Sequence, residues 1–330
     1  RGADGTTREV TTVHWNAAYP MAVRRPPAIS FAPGGGLYYT EIKGDTLYLK
    51  SVREDGQDER TLYAFPHGQR AVVSPDGKWI AFREYLRSYL TPFAFAGKTV
   101  VVSAFDHQGP TFRVDSTADG DDTEWTGGGT GLAWTRGAKF HEKSLADVLA
   151  GRSGSQTTDL AVEYAVAAPR GVIALTNARI ITMDRDRRVL ENATVLVRDN
   201  RIEAVGLSLA IPAGARVFDL GGKTIMPGMI DAHAHYNPDI STLNVIEQEH
   251  AGLVANLAYG VTTLYEVYGN HLKDFLVSDL QRSGAITGSQ LLSVGPPIYG
   301  LRTYRPKLFR PIQSQLDADE VVAFNRDHGA

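Results

Sequence analysis

Hydrophobic and polar residues alternate over short distances in the first 150 residues of the chain. Runs rich in Val, Tyr, Phe and Thr are divided by Gly, Pro and Asp, which is the pattern of short β-strands joined by tight turns. Three turn-and-strand units are alike, at residues 32–40, 74–82 and 126–134. The motif SPDG at 74–77 suits a turn, because Pro presets φ and Gly accepts a positive φ. The pattern predicts an all-β region over residues 1–150.

The spacing of these three units indicates how the region folds. They begin at residues 32, 74 and 126, so they repeat after 42 and 52 residues. The blades of β-propellers repeat about every 40 to 50 residues. The repeats therefore predict a partial propeller of about three blades. Since a closed propeller needs at least about four blades, we expect further blades upstream of Arg1.

The pattern changes twice beyond residue 150. Residues 151–170 open with the polar run GRSGSQTT and are interpreted as a linker. Residues 171–226 are again rich in strand patterns, two of which flank Asp199 and Asn200, a suitable two-residue hairpin turn. From residue 227 onward, strand and helix patterns alternate, with strands near 229–233, 260–267 and 290–294 and helices near 243–259, 272–283 and 317–328. This alternation predicts three β/α units on a parallel sheet.

Composition narrows the range of partners. The 330 residues are 43% hydrophobic and 22% charged, as in a globular chain of two or three domains. A net charge of −3 gives no reason to expect a nucleic acid or a membrane surface as a partner. The absence of cysteine excludes disulfides and thiolate ligands. No apolar run reaches the ~18 residues of a membrane span.

Two histidines stand out at the end of the first predicted strand of the parallel sheet. His233 and His235 are separated by one residue, so on a strand both imidazoles point to the same side. Two converging imidazoles are half of a metal site, because a catalytic metal needs about three protein ligands. The alternative is a pair of exposed or hydrogen-bonded histidines without a metal, and the short motif alone does not decide between them.

The sequence around the pair resembles a known family. The run GKTIMPGMIDAHAH at 222–235 is similar to the start of the barrel in the metal-dependent amidohydrolase superfamily, and GVTT at 260–263 is similar to its second barrel strand. Residues 175–183 and 201–206 resemble the small β-sandwich that precedes that barrel. The SPDG units resemble the PD40 blades of TolB-like propellers. Together they look like imidazolonepropionase-like amidohydrolases with an N-terminal propeller.

The resemblance implies a multidomain β and α/β fold. Partial propeller blades would occupy residues 1–150, a linker 151–170, a small β-sandwich 171–226, and the first three units of a (β/α)8 TIM barrel 227–330. It also implies that the chain is an internal fragment of a longer enzyme. A periplasmic or secreted location is expected from the TolB-like part.

The resemblance also implies a chemistry. His233 and His235 match the family's first-strand metal ligands, and Asp231 matches an acidic residue that supports them. The cofactor would be one or two divalent ions, with zinc favoured. The expected reaction is hydrolysis of a C–N bond, in a cyclic amide or a small peptide, by metal-activated water. No catalytic residue is expected within the chain, because the family's general base and other ligands lie beyond the position of Ala330, so we expect residues 1–330 alone to be inactive.

Other polar residues are weaker candidates. Tyr299, Arg302 and Tyr304 follow the third predicted strand in an aromatic and basic run, where substrate contact and simple loop packing are equally plausible. Glu266 and His271 could line the mouth of the pocket, since loops after barrel strands build the site, but the interpretation favoured for both is an ordinary loop residue.

Two further hypotheses stay open at this stage. The propeller could be a docking platform for a protein or peptide, joined to a barrel remnant without catalysis. Alternatively, the chain could be one part of a split enzyme that another polypeptide completes. The expected partners are a small-molecule or peptide substrate, together with the remainder of the polypeptide or a second copy of the chain in a homo-oligomer.

Overall fold

A computed structural model of the chain describes residues 7–329 apart from 8, 14–26, 34, 45, 86, 95–96, 116–120, 164, 236–249, 270–272 and 301–310. Within these residues, most of the regular structure is β-strand, distributed over six sheets. None of the helices seen there combines the length and apolar character required to cross a bilayer.

The first two sheets are formed by residues 29–113. Their strands are β1 (Ile29–Phe31), β2 (Leu37–Lys43), β3 (Thr46–Val52), β4 (Arg60–Phe65), β5 (Gly68–Val73), β6 (Trp79–Glu84), β7 (Arg87–Pro92), β8 (Val100–Val101) and β9 (Phe112–Arg113). The strand orders are β1-β2-β3-β4-β8 and β5-β6-β7-β9. Neighbouring strands are antiparallel, except that β4 and β8 are parallel.

The third sheet follows directly. It is an antiparallel sheet of β10 (Asp121–Thr126), β11 (Gly131–Arg136), β12 (Lys139–Ser144) and β13 (Gln156–Asp159), with the short helix α1 (Leu145–Leu149) between the last two strands. Strand β13 lies inside the segment predicted as a linker. It pairs with the edge of β12, where a strand containing β-branched Thr157 and Thr158 satisfies backbone groups that would otherwise stay unpaired.

These three sheets are antiparallel apart from the β4–β8 pair and are called the antiparallel sheets below. They pack against one another through alternate residues of the middle one. Ile80 and Phe82 of β6 belong to a core shared with Leu49 of the first sheet. Ala81, between them, belongs to a second core shared with Trp134 of the third sheet. This follows from the period of two along a strand. The described residues of this region are mostly β-structure, as predicted, apart from the short helix α1, and the assignment of the sheets to propeller blades stays a prediction.

Residues 171–226 form a single mixed sheet of β14 (Val172–Ile181), β15 (Val189–Arg198), β16 (Arg201–Gly206), β17 (Arg216–Asp219) and β18 (Thr224–Ile225). The predicted hairpin turn is confirmed, because Arg198 pairs with Arg201 and Asp199 has a φ of 56°. Strands β17 and β18 both pair in parallel with β14 and so extend the same hydrogen-bonded sheet. The assignment of these residues to a β-sandwich stays a prediction.

The last part of the chain alternates strands and helices, as predicted. Strands β19 (Met229–Ala234), β20 (Val261–Glu266) and β21 (Gln290–Ser293) form a parallel sheet in that order. Helices α2 (Ala251–Ala258) and α3 (Asp274–Ser283) lie between them in sequence and pack on one face through Leu253 and Val277. The sheet is open in the described residues, so closure into a TIM barrel stays a prediction. Two short parallel strands, β22 (Tyr299–Gly300) and β23 (Pro311–Ile312), follow.

Helix α4 (Gln315–His328) joins this part to the antiparallel sheets. Its N-terminus is capped by Ser314, whose hydroxyl accepts a hydrogen bond from the Asp317 amide at 3.1 Å. Along the helix, Arg87 of β7 pairs with Asp317 and Glu320. Further along, an ion pair at 2.9 Å joins Arg136 of β11 to Asp327. A helix predicted only as part of a β/α unit therefore also binds the neighbouring domain.

Candidate metal centre

The candidate site lies at the carboxyl end of β19, the first strand of the parallel sheet. Ala234 is buried in the core formed with α2 and α3. Because side chains alternate along a strand, the residues on either side of it point away from that core. His233 is exposed, and the His235 side chain is 55% exposed. The ring centres of the two imidazoles are 5.5 Å apart, with their planes at 86°.

This separation fits two ligands of one ion. Imidazole nitrogens bind zinc at about 2.0–2.1 Å, and a tetrahedral angle between two such ligands places their ring centres about 5 Å apart. The observed 5.5 Å is close to that value. In the part of the chain that the structure describes, however, no group of three or more His, Asp or Glu side chains is arranged to hold a metal. The histidines fit as half of a metal site, and the described residues assemble no other half.

Glu266 ends the neighbouring strand β20 and contacts the pair. Its Oε1 lies 2.9 Å from His235 Nδ1 and also accepts a hydrogen bond from the Tyr268 amide at 2.9 Å. Glu266 is 4% exposed. Its interpretation as an ordinary loop residue is therefore wrong: it belongs to a strand, and its carboxylate is held against a candidate ligand. Its place at the carboxyl end of the second parallel strand, next to the first, is the sequence signal for the alternative, in which Glu266 lines the pocket mouth.

Asp231, expected to support the histidines, has a different contact. Its Oδ1 accepts a hydrogen bond from the backbone amide of His233 at 3.1 Å. It therefore holds the backbone of β19 rather than an imidazole. The contact is exposed and joins residues two apart, as the short side chain of aspartate permits.

The predicted substrate-contacting residues are only partly placed. Tyr299 lies in β22 and is partly buried, where it pairs in register with Pro311. Arg302 and Tyr304 lie outside the described residues. Their role in substrate binding stays a prediction, as does the role of Tyr299. His271 also lies outside the described residues.

The loops that follow β20 and β21 are tied together beside the pair. The Gly269 amide donates a hydrogen bond to the Gly295 carbonyl at 3.0 Å. A Cβ at Gly269 would lie 2.1 Å from the Asp274 carboxylate and 2.3 Å from the Ser293 hydroxyl, so only glycine fits there without a shift. The close approach holds the segment that carries Tyr268, whose ring centre lies 6.4 Å from that of His235.

Comparison with known proteins indicates the class of enzyme to which segments of this chain are similar. Over short segments the chain is homologous to hydrolases that act on C–N bonds, the enzymes of the amidohydrolase superfamily. It is 40% identical over 62 residues to the imidazolonepropionase of Arthrobacter sp. (strain FB24), and the aligned segment covers 18% of this chain and 16% of the relative. It is 30% identical over 103 residues to the dihydropyrimidinase of Rattus norvegicus, and the aligned segment covers 30% of this chain and 19% of the relative.

The extent of these matches is limited. The matched segments span between 12% and 19% of the length of the curated relatives. No family model matches the chain. Among solved structures, that of a prolidase complexed with N-methylphosphonate-L-proline is similar, with 19% identity, a TM-score of 0.39, and 48% of this chain and 45% of the other covered.

Proposed function

We propose that this chain is part of a metal-dependent hydrolase that cleaves a C–N bond in a cyclic amide or a small peptide. The observation that carries the proposal is the placement of His233 and His235 at the carboxyl end of the first of three parallel strands, on the side away from the core. Active sites of β/α barrels lie at that end of the strands. The homologous segments of hydrolases that act on C–N bonds support the reaction class.

The residues have distinct roles in this proposal. His233 and His235 supply two neutral imidazole ligands for a divalent ion, and zinc is favoured because imidazole nitrogen is one of its usual ligands. Such an ion supplies Lewis acidity and lowers the pKa of a water molecule to about 7. The remaining ligands and the general base are assigned to parts of the protein that the structure does not place at this site. Asp231 keeps the His233 backbone in position through the bond to its amide.

The test uses the full-length protein, purified and analysed for bound metal, and assayed against a panel of dipeptides and cyclic amides. Chelation should abolish hydrolysis, and zinc should restore it. His233→Ala should reduce both metal content and activity. His107→Ala, which removes an exposed histidine from the antiparallel sheets, is the matched control and should leave both unchanged. Hydrolysis that persists in a chelated, metal-free sample would contradict the proposal.

A second candidate function, peptide binding without catalysis, is favoured by a cavity between the antiparallel sheets and α4. Its volume is about 340 Å³, and Tyr85, Phe105 and His107 are among the residues that line it, together with Ser314 at the start of the helix. The same variants separate the two functions. If the chain is a binding module, His107→Ala weakens peptide binding, His233→Ala has no effect on it, and no member of the substrate panel is hydrolysed.

A further inference from the structure

We propose that Glu266 is a positioning residue for His235, which holds the imidazole in the tautomer and orientation that direct Nε2 to the metal. The inference rests on the proposed function for its consequence, which is metal affinity, but the contact itself stands on the structure alone. Glu266 Oε1 and His235 Nδ1 are 2.9 Å apart. The two residues come from different strands, 31 positions apart in sequence.

The direction of the hydrogen bond fixes the tautomer. An ionised carboxylate can only accept hydrogen bonds, so with Glu266 ionised, the 2.9 Å contact makes Nδ1 of His235 the donor and the atom that carries the proton. In a neutral imidazole the other nitrogen then carries the lone pair. Nε2 is therefore the atom of His235 that can bind a metal. A metal-binding histidine commonly donates its other N–H to a carboxylate in this way, which raises its basicity and fixes the ring.

The carboxylate is more firmly held than the imidazole that it orients. The Glu266 side chain is 6% exposed, against 55% for the side chain of His235. Its backbone is in the central strand of the parallel sheet, in register with Ala234 on one side and Ser293 on the other. The Tyr268 amide donates a second hydrogen bond to the same oxygen. A buried carboxylate with fixed partners is a rigid reference point for an exposed ring.

The same geometry argues against Glu266 as a metal ligand. Oε1 approaches the Nδ1 side of the ring, whereas a metal bound through Nε2 would lie on the opposite side. The oxygen that contacts the histidine also accepts the Tyr268 amide. Positioning therefore accounts for the observed contacts better than ligation.

His233 provides an internal contrast. Within the described residues, no carboxylate contacts its imidazole, and Asp231 accepts a hydrogen bond only from its backbone amide. The two candidate ligands therefore differ in their support: the ring of His235 is oriented by a buried glutamate, whereas that of His233 is not. This difference makes Asp231→Asn a matched control for changes at Glu266, because it alters a carboxylate beside the site without touching either ring.

The first measurement is the tautomer of His235 in the metal-free, full-length protein. Under alkaline conditions, where imidazoles are neutral, two-bond ¹H–¹⁵N NMR spectra should show His235 with its proton on Nδ1. A proton mainly on Nε2 would overturn the inference. This result does not depend on metal binding, so it separates a failure of the positioning role from a failure of the proposed function.

The second measurement is zinc affinity, obtained by competition with a chelator of known affinity. Glu266→Ala should weaken binding by about 10- to 100-fold, the range seen when the partner of a metal-binding histidine is removed, and should lose the Nδ1–H tautomer. Glu266→Gln keeps an acceptor oxygen and should retain most of the affinity and the tautomer. Asp231→Asn should change affinity less than Glu266→Ala. Unchanged affinity and tautomer in Glu266→Ala would overturn the inference.

Folding is checked by thermal unfolding of each variant. If Glu266→Ala does not fold, the positioning role is tested by the zinc affinity and tautomer of Glu266→Gln and by the tautomer of His235 in the unsubstituted protein. If the unsubstituted protein binds no zinc but shows the Nδ1–H tautomer, the positioning contact is supported and the metal-dependent function is not.

Discussion

Strands β6 and β19 are both six residues long, but their surroundings are very different. Five of the six residues of β6 are buried, because the second sheet lies between the first and the third. In β19 only Ala234 is buried, where the strand meets the core formed with α2 and α3. A strand covered on both faces can hold polar groups only when they are paired. A strand with one open face can present imidazoles to a ligand.

The polar residues of the two regions illustrate this difference. Glu84 of β6 is 3% exposed, and its oxygens accept hydrogen bonds from the Ser103 hydroxyl and the amides of Ala104 and Phe105. Its capacity as an acceptor is used for structure. His233 is exposed, and within the described residues no carboxylate contacts its imidazole. The region around β19 thus leaves an imidazole exposed to a ligand, whereas the region around β6 uses its buried carboxylate for structure.

The largest expected effect tests the difference in burial directly. Phe82→Ala should reduce the free energy of unfolding by about 3–5 kcal/mol, because it removes a buried ring and leaves a cavity. Ile230→Ala in β19, where the residue is 68% exposed, should cost about 0.5 kcal/mol or less. Denaturant unfolding of the 330-residue chain measures both. Equal costs would show that Ile230 is covered after all.

The next largest effect on the free energy of unfolding is expected from crowding at Gly269, in the loop beside the histidines. Gly269→Ala places a methyl group against Asp274 and Ser293 and should cost about 1–3 kcal/mol, as overpacking typically does. Gly300→Ala is the control, because nothing lies within 4 Å of the added carbon. The readout is denaturant unfolding, followed by zinc affinity. A loss confined to Gly269→Ala would show that the open region is locally rigid where it supports the site.

The coupling energy between the antiparallel sheets and α4 can be measured by a double-mutant cycle on Arg87 and Glu320. Their side chains are 14% and 18% exposed, so a coupling energy of about 0.5–3 kcal/mol is expected. The Arg152 and Asp147 pair is exposed and should show no measurable coupling. The absence of coupling between Arg87 and Glu320 would mean that the antiparallel sheets and α4 are not energetically joined.

The smallest effect concerns pH and the buried His141 of β12. Burial lowers the pKa of His141, and nearby Arg136 and Lys139 lower it further, while Asp115 opposes this change. The unfolded state therefore binds the proton more readily than the folded state. Stability is complete above the ordinary histidine pKa of 6.5 and declines as the pH falls below it toward the lower folded value. The thermal midpoint of His141→Gln should depend less on pH between about 7.5 and 5.5, and an identical dependence would refute this account.

Local patterns predicted a large part of the structure. The turn at Asp199 and Asn200 was evident because a two-residue hairpin depends on residues adjacent in sequence. The prediction that His233 and His235 share one side of a strand end followed from their spacing of two residues, which is also local. The helix that begins after Ser314 was also evident from its spacing, and the observed helix starts two residues earlier than predicted.

Contacts between distant segments could not be predicted in this way. The single sheet of residues 171–226 arises because β17 and β18 pair with the same edge of β14. The sequence pattern of a strand does not indicate which other strand it will pair with. The pairing of Arg87 with Glu320 joins residues 233 positions apart. Neither sequence neighbourhood contains a signal for the other.

The sequence by itself determined the all-β character of the first part, the β/α alternation of the last, and the pair of histidines with their spacing, because each depends on periodicity along one segment. Only the tertiary structure decided that Glu266 lies against His235 and that α4 is held by arginines of the antiparallel sheets. Those contacts depend on which strands and helices become neighbours, and that choice is made by burial over the whole chain rather than by any local pattern.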